Sequence, residues 1–193
     1  MRKESVVTPQ RFQQGFAYPD YIAQIKVNGD RFQHFYDIFR LKPEDADFFR
    51  RLVQKPNGPA KCLALGEDWC PDVYRGLPVM AHVAQASGME LRVFPRDQNL
   101  DIMDEFLNQG QYRSIPTFVF YTRDHRYLCH WIERPALANR EREAIEEQIR
   151  REHPNLSEAE FREERRRLTL SRYPAWQQAT VDELKDLLAR SVQ

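Results

Sequence analysis

Glycine is scarce in this 193-residue chain, which has only seven. A phosphate loop or a dinucleotide fingerprint clusters glycines so that backbone can approach the phosphates. No such cluster is present, and the nearest stretch, GEDWCPDV (66–73), lacks the lysine and the spacing. Long apolar runs are missing too, none approaching the ~18 residues of a membrane span. The amino-terminal MRKESVVTPQRF has neither an apolar core of signal-peptide length nor a small-residue cleavage pattern, so the expected location is cytoplasmic. Charge of one sign is absent: Lys+Arg and Asp+Glu are both 29. A nucleic-acid partner, which selects for a basic surface, is therefore not expected. Zero net charge weakens mutual repulsion and permits self-association. Three cysteines, an odd number, suit a reducing compartment better than a disulfide scaffold. The five histidines are scattered, and Cys129 and His130, adjacent on a strand, should point to opposite faces, so no metal site is expected. There is no recognisable Ser/His/Asp constellation and no internal repeat.

What is present supports a packed core: 41% hydrophobic and 12% aromatic residues. Residues 1–58 read as a helical extension. Thr8-Pro9 reads as a cap followed by proline in the first turn. Asp30 reads as the cap of a helix carrying Phe32, Phe35, Tyr36 and Phe39 at three-to-four spacing. Pro43 opens another, with Glu44 and Asp45 where the helix dipole favours negative charge. KPNGP (55–59) marks a boundary.

From residue 59 the pattern changes. AKCLALG reads as a buried strand, 71–87 as a helix ending near Gly88, and ELRVF as a second strand, parallel to the first across the helical crossover. LDIMDEFLNQG reads as a helix with Gly110 past its end. IPTFVFY and RYLCHWIE are strands whose short link makes them antiparallel. Residues 135–179 form a Glu- and Arg-rich segment of two charged helices, with Ser157 and Glu160 a capping box. Glu146/Arg150 and Glu147/Arg151 stand at salt-bridge spacing. Such a segment is ordinarily a solvated face, or otherwise a partner-binding or self-association surface. Thr180 and Glu183 read as a capping box for a last amphipathic helix.

The chemistry concentrates at Cys70. It should sit just before a helix, with Pro71 in the first turn. Unpaired helix amides and the positive dipole end favour a thiolate there. Glu67, Asp68 and Asp72 oppose this by their charge. Arg75, Arg113 or Arg134, if folded close, would shift the balance back. EDWCPDV resembles the Trp-Cys-x-x-Cys site of the thioredoxin superfamily. Pro78 falls where that family kinks the helix, and SIPT resembles its cis-proline segment. TVDELKDLLARS resembles its last helix.

The resemblance covers about 59–134 and 180–192. It implies a thioredoxin-like α/β fold: a central four-stranded mixed sheet flanked by helices, with residues 1–58 and 135–179 as helical additions to a core of 59–134 and 180–193. It also implies a cis Ile115-Pro116 peptide facing the sulfur. There are three departures: Val73 replaces the resolving cysteine, Ala64 replaces a buried acid, and IERP replaces a glycine after the fourth strand. Cys62 and Cys129 are too far away to substitute for the missing cysteine. The implied function is thiol–disulfide exchange through Cys70 alone, on protein or small-thiol disulfides, without a bound cofactor and with an external low-molecular-weight thiol as resolving partner. Trp69, Pro71, Asp72, Ile115 and Pro116 would contact the substrate. The alternatives are a non-catalytic binding module using the groove beside Pro116, and a thiol sensor oxidised at Cys70.

Overall fold

The computed structural model describes residues 5–192, so the first four residues of the amino-terminal segment read above, and Gln193, lie outside the described residues. Four short helices lead in: α1 (Pro9–Phe12), α2 (Tyr18–Gln24), α3 (Gly29–Ile38) and α4 (Pro43–Val53). Then come β1 (Lys61–Gly66), α5 (Pro71–Ser87), β2 (Glu90–Pro95), α6 (Leu100–Met103), β3 (Thr117–Tyr121) and β4 (Tyr127–Ile132). The chain ends with α7 (Ala136–Glu152), α8 (Glu158–Leu170) and α9 (Tyr173–Ser191).

The sheet is the expected four-stranded mixed one, in the order β2-β1-β3-β4. The β1–β2 pair is parallel, and β3 is antiparallel to both β1 and β4. β1 is buried from Cys62 onward and β3 throughout. That is why both read as continuous apolar runs rather than alternating ones. α5 packs against the sheet and against α3, α4 and α9. Its buried Pro78 supplies no amide to the carbonyl of Tyr74, the cost of a proline inside a helix.

The amino-terminal helices build part of the core. Phe32 is fully buried and meets the rings of Tyr21 and Tyr74 edge-on at 6.1 and 6.2 Å. This segment is not wholly helical. Phe16 pairs antiparallel with Val93, exchanging two backbone hydrogen bonds of 2.9 and 2.8 Å, and so covers the exposed edge of β2. Gly15 permits that approach, because a Cβ there would fall 2.3 Å from the ring of Phe94.

Several local readings need correction. α3 begins at Gly29, so Asp30 lies inside its first turn. Asn28 precedes the helix with φ of 58° and uses its side chain on the Asp68 carbonyl, 2.9 Å away. The helix expected over 100–109 stops at Met103. Asn108 and Tyr112 bond each other's backbones at 2.8 and 3.0 Å, and Gln109 and Gly110 take positive φ to make that turn. α9 starts seven residues before Thr180. Tyr173 and Trp176 extend its buried stripe, and the Thr180 hydroxyl donates to the Trp176 carbonyl within the helix. Glu183 is no cap partner either: it accepts from Trp131 Nε1 (2.9 Å) and from the Ala136 amide (2.7 Å), tying α9 to β4 and the start of α7. Glu146 pairs with Arg150 at 3.8 Å, but Arg151 reaches Glu152 rather than Glu147. The Ser157–Glu160 capping box is present.

Candidate functional site around Cys70

Cys70 occupies the N-cap of α5 in an extended conformation, with Pro71 in the first turn. Its carbonyl accepts from the amides of Val73 (3.1 Å) and Tyr74 (3.2 Å). The loop before it is held from two sides. The Asp68 carboxylate accepts from the Lys26 and Val27 amides at 2.8 and 3.2 Å, and Glu67 accepts from the Asp97 amide at 2.7 Å. Two of the three acids expected to oppose ionisation are thus engaged with backbone donors.

Cys70 is 9% exposed as a residue, and its sulfur lies 3.8 Å from the Ile115 carbonyl oxygen. The Ile115-Pro116 peptide is cis. Gly76 of α5 faces Pro116, whose Cγ would lie 3.3 Å from a Cβ added there. Burial is the largest influence on the thiol and pushes its pKa up. The amides of Val73 and Asp72 and the charge of Arg75 pull it down, while the Asp72 carboxylate pushes it up again. Burial prevails, and the thiol holds its proton more tightly than a free cysteine does.

Val73, at the position of the missing cysteine, is fully buried beneath Gly66, where a Cβ would come within 2.8 Å of its Cγ1. Ala64 is also fully buried. Cys62 is fully buried, which pushes its thiol well up. Cys129 is half-buried beside the Ser191 hydroxyl at 3.5 Å. These two face one another across Phe120 on β3. Two strand spacings, ~10 Å, are too many for a disulfide.

Asp72 faces a cationic cluster. Arg75 lies 2.5 Å from one carboxylate oxygen, and Arg134 (3.0 Å) and Arg142 (3.9 Å) lie near the other. The Arg75 guanidinium also lies 4.4 Å over the ring of Tyr173. Arg113 is occupied elsewhere, pairing with Asp104 at 2.7 Å. Arg142 escaped the sequence reading because it comes from the charged segment. Its only signal there was arginine density. Glu133, in IERP, takes φ of 70°, and its amide donates to the Pro116 carbonyl at 2.7 Å. A residue with a Cβ pays ~1 kcal/mol or more for that left-handed conformation. Trp69 is half exposed, with the Arg96 guanidinium 5.2 Å from its ring. Among the described residues, no group of three His, Cys, Asp or Glu side chains could hold a metal ion, and no helix is long and apolar enough to cross a membrane.

The family model described as thioredoxin matches residues 15–147. No curated protein sequence matches significantly. Two solved structures share the fold over nearly the whole chain. One is a Pseudomonas aeruginosa protein of unknown function, 13% identical, with 96% of this chain and 99% of that one covered at a TM-score of 0.69. The other is an HIV epitope-scaffold, 14% identical, with 97% and 99% covered at a TM-score of 0.66.

Proposed function

The chain belongs to the thioredoxin family, and from that premise we propose that it exchanges thiols and disulfides through Cys70 alone. The observation that carries this reading is the sulfur at the N-cap of α5 beside the Ile115 carbonyl. The Cys70 thiolate attacks one sulfur of a substrate disulfide. The S–S bond breaks, a mixed disulfide forms on Cys70, and the departing thiolate takes a proton. A low-molecular-weight thiol from solution then attacks the substrate-derived sulfur of the mixed disulfide and releases Cys70. Backbone groups of Ile115, next to Pro116, align the incoming chain as an added strand would be aligned. The site works in the cytoplasm, on protein or small-thiol disulfides.

A second reading, a binding groove without catalysis, is favoured by the burial that keeps the Cys70 proton in place. Alkylation rate against pH, mapped separately to Cys62, Cys70 and Cys129, decides between them. Exchange chemistry predicts that Cys70 reacts fastest of the three, while burial sets its midpoint above the free-cysteine value of ~8.5 on either reading. It also predicts a mixed disulfide with oxidised glutathione that Cys70→Ser abolishes. A folded protein whose Cys70 reacts no faster than Cys62, and forms no mixed disulfide, would sink the exchange reading and leave the groove.

A further inference from the structure

The charged segment after β4 does more than cover the core. Between the first turn of α5, the loop after β4, and helices α7 and α8 lies a cavity of about 430 Å³. That lies within the ~300–1,000 Å³ range of small-molecule sites. Six guanidiniums line it: Arg75, Arg134, Arg142, Arg162, Arg165 and Arg166. Only two carboxylates, Asp72 and Glu163, line the same walls.

The ion pairs around this cavity do not neutralise it. Asp72 is divided among Arg75, Arg134 and Arg142. Glu133 supports Arg134, and Glu146 supports Arg165 at 2.8 Å. Counting these two and Glu158, which pairs with Arg162 at 3.9 Å, with the lining acids leaves six guanidiniums against five carboxylates. Arg134 Nε is buried with no hydrogen-bond partner among the described residues. Arg142 is held below its ordinary value, first by burial and then by Arg134, with Arg165 and Arg75 adding to it and Asp72 opposing.

Arg162 and Arg166 stand at the exposed rim, but Arg75, Arg134, Arg142 and Arg165 are partly buried, and partly buried like charges are costly unless an anion joins them. A guanidinium fork matches the paired oxygens of a phosphate or a carboxylate. A concave pocket between helices, on a chain of zero net charge, suits a small ligand rather than a polyanionic surface. We propose that this cavity is a binding site for a small multivalent oxyanion, built by the charged segment against the amino-terminal turn of α5. The site does not depend on Cys70 chemistry, so the two ideas can fail separately.

The test is calorimetric titration of the full chain with inorganic phosphate and, separately, citrate, at ionic strength held constant with sodium chloride. One-site saturable binding of at least one anion is expected, and which one binds distinguishes a phosphoryl from a carboxylate ligand. The double variant Arg142→Gln/Arg166→Gln should weaken binding at least tenfold with an unchanged circular dichroism spectrum, and Cys70→Ser should leave it unchanged. If the double variant does not fold, the exposed Arg162→Gln alone should weaken binding severalfold. Absence of saturable binding by either anion, or undiminished binding by the arginine variants, would overturn the proposal.

Discussion

Restoring the absent sulfur tests whether the Cys70 region is a two-thiol site with one thiol removed. Val73→Cys places a thiol three residues after Cys70 in the first turn of α5. Helix neighbours at this spacing have Cβ atoms ~5–6 Å apart, whereas a disulfide needs ~3.5–4.5 Å. Closing it therefore takes about 1–2 Å of adjustment. Cys70 can supply that, because as the N-cap it lies outside the regular helix. The packing cost follows from Val73 being fully buried against Gly66. The exchange loses roughly one methyl group, ~0.5–1.5 kcal/mol by analogy with Ile→Val. In a chain of this size, ~1 kcal/mol lowers Tm by about 2–4 °C.

The reduced variant should therefore fold with a slightly lower Tm. Mild oxidation should remove two free thiols, counted by mass after alkylation, and the disulfide form should be reducible by dithiothreitol. Reduction of insulin should then rise above the wild-type rate and vanish in Cys70→Ser/Val73→Cys. A folded variant that keeps both thiols under oxidant would refute the geometry. One that forms the disulfide yet reduces no insulin would refute the view that the groove beside Pro116 admits a redox substrate.

Two further substitutions probe how the additions join the core. Phe32→Ala removes a fully buried ring between Tyr21 and Tyr74 and should cost ~3–5 kcal/mol in urea unfolding; a loss below ~1 kcal/mol would mean that α3 does not share the core's cooperative unit. Lys185→Met strips a partner from Asp45, which is 2% exposed and would keep only Gln178 at 3.1 Å. The lysine is itself 28% exposed, so a loss of ~1–3 kcal/mol at pH 7 is expected rather than the full value of a buried pair. Burial pushes the Asp45 carboxyl up, but its bonds to Lys185 and Gln178 outweigh this and hold it below its ordinary value. Its stabilising contribution is therefore present above the unfolded value near ~3.9 and lost as pH falls. The wild-type and Lys185→Met curves should converge in acid. A pH-independent gap would show that the loss is packing alone.

The readability of this fold from sequence tracks how local each cause is. Thr8, Ser157 and Gly88 act on their own helix ends, and all three positions behave as their residue types dictate. Cys70 and Pro71 likewise announce an N-cap by themselves. The failures come where a distant partner outbids a local preference. Thr180 and Glu183 have capping-box spacing, yet Glu183 gains more by bonding Trp131 and Ala136, which no short window contains. Leu100–Gly110 carries a helical pattern, but the Asn108–Tyr112 turn takes its last residues. The same distinction governs the site. The sulfur, Ile115 and Pro116 are legible because motifs fix them in short segments. The three guanidiniums at Asp72 come from α5, the loop after β4, and α7. Their meeting is set by how the charged segment packs back, a property of tertiary structure that arginine density in one stretch of sequence could suggest but not locate.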